Sequence, residues 1–235
     1  MKTYRISALA SAIVRMWRGW AVIVPVVIVN ALLQAVLIWP DPTPGDGVVP
    51  ILLALVSVIV FAVAYGLVAA TALHVAGGRV GWGQVIATVK ASAGGYVLCF
   101  VGLLIVVAIG CALYGLPGLL VLAVTPFFLL AALDGEKNPL GINFRTIGRR
   151  PWRWLVTTVI TGLVVILGSL INGLTSFFVR GPAASLIVWA ISGLVLAWFT
   201  TAWALIYRNA FTPTDRETSA SADAPAGALP GGDLE

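Results

Sequence analysis

The residues best suited to chemistry lie in one short stretch: Asp134-Gly135-Glu136-Lys137, followed by Arg145, Arg149, Arg150 and Arg153. Two carboxylates so close in sequence could hold a cation or bridge a metal to a phosphate, the chemistry of a lipid-modifying enzyme. The neighbouring bases point to something simpler. Asp134 and Glu136 can be held in a structural ion-pair cluster with Lys137, Arg145, Arg149 and Arg150. The same bases, with Trp152, Arg153 and Trp154, also compose a lipid-headgroup site, because cations attract anionic phosphates and indole rings settle at headgroup level. The two arrangements are compatible.

Elsewhere the chain offers little for catalysis. His74 is the only histidine, and a proton relay would need a second ionisable group at its depth. One histidine with Cys99 and Cys111 cannot supply a conventional zinc site. Those cysteines are twelve residues apart in one apolar run, about 18 Å along a helix, too far for a disulfide. They read as small hydrophobes. Ser57, Ser169 and Ser192 have no base beside them, so they are expected to bond to the preceding helical turn. Neither a Walker loop nor the spaced aspartates of CDP-alcohol transferases is present. No catalytic residue, metal or cofactor is expected.

The elements that must position these residues are membrane helices. The chain is 60% hydrophobic and only 10% charged, with a mean hydropathy of +1.03, whereas soluble domains carry about 25% charged residues. The net charge of +5 does not indicate nucleic acid, because the bases sit at helix ends rather than in a patch. Six apolar runs are long enough for a hydrocarbon core of ~30 Å: Gly19–Trp39, Ile51–Leu73, Gly94–Tyr114, Pro117–Leu133, Trp152–Phe178 and Ala183–Tyr207. Pro25 and Pro126 are expected to kink the first and fourth. No cleavage site follows the early apolar stretch, so the first span is expected to be an uncleaved anchor.

Charge sets the orientation. Of fourteen Lys and Arg residues, thirteen fall at the same end of this six-span topology and Arg180 alone at the other. Cytoplasmic flanks collect Lys and Arg, so both termini are expected in the cytoplasm. High Ala, Val, Leu and Gly, with Arg far above Lys, looks like a high-GC bacterial genome, so the membrane is expected to be a bacterial cytoplasmic one. The segments before spans one, three and five are amphipathic. Ile6, Leu9, Ile13, Trp17 and Trp20 oppose Ser7, Ser11, Arg15 and Arg18; Trp82, Val85, Ile86 and Val89 oppose Gln84, Thr88 and Ser92; Leu140, Phe144 and Ile147 oppose Asn143, Thr146 and Arg150. Each predicts an interfacial helix with its apolar face toward lipid. The fold class is therefore all-α, three helical hairpins each preceded by an interfacial helix, which reads as a threefold pseudo-repeat. Residues 1–18 form the first interfacial helix, 19–211 the membrane domain, and 212–235 a polar tail expected to be disordered.

Within the spans, Asn30 and Gln34 share one face, Asn172 lies in span five, and Ala62, Gly66 and Ala70 form a small-residue stripe. These are the candidate helix-packing faces, with each amide bond contributing about 0.6–2 kcal/mol. No charge falls mid-membrane, which argues against ion-coupled transport.

The stretch from Pro126 through Trp154 resembles the bacterial membrane family that includes the membrane domain of glycerophosphodiester phosphodiesterases and the YciC-like proteins. Its elements here are Thr125-Pro126-Phe127, the turn Asp134-Gly135-Glu136, the amphipathic segment Asn138–Arg149 and the re-entry Arg150-Pro151-Trp152-Arg153-Trp154. The closing Ala204-Leu205-Ile206-Tyr207-Arg208-Asn209-Ala210 is similar to that family's last helix. The resemblance implies a polytopic architecture without a phosphodiesterase domain. In length, topology and composition alone the chain is also similar to the LucB-type accessory subunit of Mce lipid importers. The expected function is a non-enzymatic accessory or regulatory subunit of an inner-membrane complex handling lipids. A carrier or flippase for an apolar substrate comes second and a lipid-modifying enzyme third. Expected partners are membrane lipids and other integral membrane subunits.

Overall fold

The computed structural model describes residues 7–38, 47–75, 80–113, 115–175 and 181–211. Lys2, Arg5, Asp41, Asp46, Arg79, Arg180, Arg216 and the tail from Thr212 lie outside them, as does the side chain of Asn172. Nine α-helices occupy the described residues: α1 (Ser7–Met16), α2 (Trp20–Ile38), α3 (Val49–Val75), α4 (Trp82–Ala112), α5 (Leu116–Val124), α6 (Phe128–Leu133), α7 (Pro139–Arg149), α8 (Pro151–Thr175) and α9 (Pro182–Ala210). Five stretches are long and apolar enough to cross a membrane: Leu9–Leu37, Val49–Val75, Trp82–Ala112, Pro151–Ile171 and Pro182–Ala210.

The run around Pro126 behaves differently. It divides into α5 and α6, because proline lacks the N–H for the next helical bond and disfavours helical geometry in the residue before it. Thr125 accordingly leaves the helical region at φ −118° and ψ 32°. Pro25 lies inside α2 without ending it.

The three amphipathic segments also differ from one another. A 3-10 turn at Trp17–Gly19 joins α1 to α2, with helical dihedrals on both sides. The second segment is the first part of the 31-residue α4 rather than a separate helix. Only the third, α7, stands alone. Its limit is set by Arg150-Pro151, where Arg150 is pushed to φ −136° and ψ 49° by the proline that follows. In α7 the polar face turns inward: Asn143 and Thr146 are fully buried, while Leu140 and Phe144 are exposed. In α1, Leu9 and Ala12 are buried, whereas Ile13 is exposed, as are Trp17 in the 3-10 turn and Trp20 at the start of α2.

Helix α9 is the hub, touching α1, α2, α3, α7 and α8. Gly193 lets it approach α2; a Cβ there would lie 2.8 Å from Val27 Cγ1. Gln34 and Ser57 tie α2 to α3 through two bonds, Ser57 Oγ donating to Gln34 Oε1 at 2.7 Å and Gln34 Nε2 to the Ser57 carbonyl at 3.1 Å. Between α3 and α4, the Tyr96 hydroxyl donates to the Ala62 carbonyl at 2.7 Å, and its ring lies against Gly66. Ala70 is buried with the Val22, Val26 and Val68 cluster. At the end of the bundle holding Asp134, the larger core gathers Leu9, Leu73, Phe127, Leu130, Leu133 and Tyr207. Toward the other end, α8 from Leu163 to Ile171 is exposed around most of its circumference.

The backbones of α4 and α5 meet at Gly110 and Gly118, where a Cβ on Gly118 would lie 2.8 Å from the Val107 carbonyl oxygen. Backbone cannot yield as a flexible side chain can, and overpacking generally costs about 1–3 kcal/mol. Gly118→Val is therefore expected to lower the unfolding midpoint in detergent. Gly162→Ala, in a helix position with nothing within 4 Å, serves as the control and should not lower it. Equal midpoints for the two variants would refute the close-contact account.

Candidate functional site

The site grows from the break between α5 and α6. Losing helical bonds there frees backbone groups that, once buried, need other partners. Two side chains take them up. The fully buried Asn143 of α7 donates through Nδ2 to the Val124 carbonyl at 2.7 Å and accepts through Oδ1 from the Phe127 N–H at 3.0 Å. Trp154, at the start of α8, donates to the Ala123 carbonyl at 3.0 Å. An amide has both a donor and an acceptor, so one residue closes both sides of the break.

The short α6 then ends at Asp134-Gly135-Glu136. Gly135 adopts φ 81°, and the Glu136 N–H reaches the Ala131 carbonyl at 3.1 Å while Gly135 N–H reaches Ala132 at 3.3 Å. This is a Schellman ending, which favours glycine at the left-handed position. It leaves the Asp134 carboxylate at a helix C-terminus, where the backbone dipole disfavours negative charge. The last turn of α9 offsets this. Arg208 Nη2 meets Asp134 Oδ1 at 2.9 Å, and the Tyr207 hydroxyl donates to Oδ2 at 3.1 Å.

The arginines expected to surround Asp134 serve the same helix end by another route. Arg149 Nη1 donates to the Ala210 carbonyl at 2.9 Å, and its guanidinium stacks 5.0 Å from the centre of the Phe211 ring. Arg150 Nη2 donates to the Asn209 carbonyl at 3.2 Å. Terminal carbonyls of a helix lack intrahelical donors, and cations there also complement the dipole. Arg145 and Trp152 are exposed, while Glu136, Arg153 and Trp154 are half-buried. No group of three metal-ligating side chains occurs among the described residues.

The cluster read from sequence thus resolves into an acidic centre bonded to Tyr207 and Arg208, a pair of arginines capping α9, and a tryptophan mending α5. Sequence reasoning passed over Asn143, Tyr207 and Arg208 as partners. Asn143 was visible as part of a polar helix face. The Tyr-Arg pair was visible as the close of the last span, though nothing in it named Asp134.

Compared with protein-family profiles, with curated proteins and with solved structures, the chain finds no match in any of the three.

Proposed function

We propose that this chain is a non-enzymatic, multi-pass protein of a bacterial cytoplasmic membrane, acting as an accessory or regulatory subunit of a larger envelope complex that handles lipids. In this reading six crossings leave both termini in the cytoplasm, with α5 and α6 together forming the fourth. Arg15, Arg18, Lys90, Arg149, Arg150 and Arg208 belong to the helix ends that share the Asp134 end of the bundle, which supports that orientation under the positive-inside rule. The observation carrying the proposal is that the chemistry-bearing cluster is engaged within the chain. Asp134 binds Arg208 and Tyr207, and Arg149 and Arg150 hold the carbonyls of Asn209 and Ala210. A carboxylate so bonded is poorly placed to hold a catalytic metal, and guanidinium groups so bonded grip headgroups less readily. Both points favour a subunit over the enzyme and carrier readings. The exposed apolar surface of α8 from Leu163 to Ile171 supports the same reading, since a partner's helices could pack on it.

Native purification from the source membrane in mild detergent, followed by mass spectrometry, tests this. Stoichiometric recovery with other integral membrane proteins is expected. Recovery of the chain alone, even after crosslinking in intact membranes, would overturn the subunit reading. Turnover of a lipid substrate by the isolated chain would overturn its non-enzymatic part.

A further inference from the structure

Asn30 and Gln34 lie one turn apart on α2, yet their side chains fare differently. Gln34 is bonded at both ends to Ser57. Asn30 is only 5% exposed, and its Oδ1 has no hydrogen-bond partner. Leaving a buried acceptor unmet is destabilising, because it has given up water without gaining a donor. Asn30 sits ten residues past Trp20, about 15 Å along the helix, close to the middle of a hydrocarbon core ~30 Å thick. It lines a cavity of about 50 Å³ between α2, α3 and α9, with Val27, Phe61, Tyr65, Trp189 and Ser192 among the other walls.

We infer that this cavity binds the hydroxyl end of a neutral long-chain alcohol, which donates its O–H to Asn30 Oδ1. An orphaned acceptor selects a donor. The depth disfavours a charged headgroup, because a charge at the bilayer centre is expensive. The walls are mostly aliphatic and aromatic, which suits a ligand with an apolar body and one polar anchor. Water fits less well. The space exceeds the ~10–15 Å³ that one molecule needs, and each water asks for two to four polar partners. Asn30, Tyr65 and Ser192 are the only polar side chains among the lining residues, few for a cluster of waters. The cavity is open on part of its boundary, so an alkyl tail can leave into the surrounding hydrocarbon. The inference is independent of the subunit reading, because it concerns the isolated chain.

Trp189 in the wall supplies the readout. The full chain in lipid nanodiscs is titrated with 2-bromododecan-1-ol, whose bromine quenches indole fluorescence at close range. Saturable quenching is expected, lost in Trp189→Phe and shifted to about tenfold or more higher concentration in Asn30→Leu, as loss of one buried hydrogen bond implies. The methyl ether of the same probe keeps the bromine and chain but has no O–H. On the unaltered protein it should bind about tenfold or more weakly, and this comparison needs no substitution that could disturb folding. Equal binding of alcohol and ether would overturn the inference. So would the absence of saturable quenching, which would leave a cavity that is dry or holds water alone.

Discussion

Asn143→Leu is expected to be the most damaging single substitution on α7. Leucine fills a similar volume but removes the amide that serves the Val124 carbonyl and the Phe127 N–H. Each orphaned buried group then costs about 1–3 kcal/mol. Thr146→Val is the matched comparison. Thr146 is equally buried on the same helix, but its hydroxyl bonds only to the Ile142 carbonyl one turn back. Its loss should change stability by no more than about 1 kcal/mol. Unfolding by SDS in mixed micelles would measure both. Comparable losses for the two variants would show that Asn143 contributes packing rather than closure of the break.

The second large effect is expected at Asp134. Asp134→Ala removes the partner of Arg208 and of the Tyr207 hydroxyl at once. Hydrogen bonds to charged groups contribute about 1.5–3 kcal/mol when buried, and the figure here belongs at the lower end. The two side chains are 18% and 24% exposed, so solvent screens part of the attraction. A double-mutant cycle with Arg208→Met isolates the bond itself. The double variant should be little worse than either single one. Additive losses would mean that Asp134 and Arg208 act separately. Asp134→Asn, which keeps a bonding partner for Tyr207, should recover part of the stability.

Much of the architecture was legible because the membrane solvent makes it so. Long apolar runs and the placement of bases follow from the cost of exposing polar groups to lipid, and both can be counted along the chain. The break at Pro126 was legible only as an expected kink, since nothing local says whether a proline will bend a helix or end it. That outcome turned on Asn143 and Trp154, seventeen and twenty-eight residues further along, which are in place to satisfy the freed groups. The ionic cluster was legible in composition, but Arg208 as a partner of Asp134 was not, because it lies 74 residues further along the chain. Helical neighbours in space are set by packing. The inward turn of α7's polar face was hidden for the same reason: hydrophobic periodicity shows two faces, not which of them meets protein.

The dependence of so many contacts on α9 has a consequence for synthesis. Its Trp198 indole donates to the Leu9 carbonyl at 2.9 Å, joining residues 189 positions apart, and its last turn supplies Tyr207 and Arg208 to Asp134. A chain made from its N-terminus cannot form these contacts until α9 has been translated. The earlier helices therefore form without their central neighbour, and the core of the bundle closes only once α9 has been made. A chain cut short before α9 would lose Tyr207 and Arg208 as partners of Asp134 and the Trp198 indole as a donor to Leu9, so such a truncation removes the centre of the bundle rather than trimming its edge.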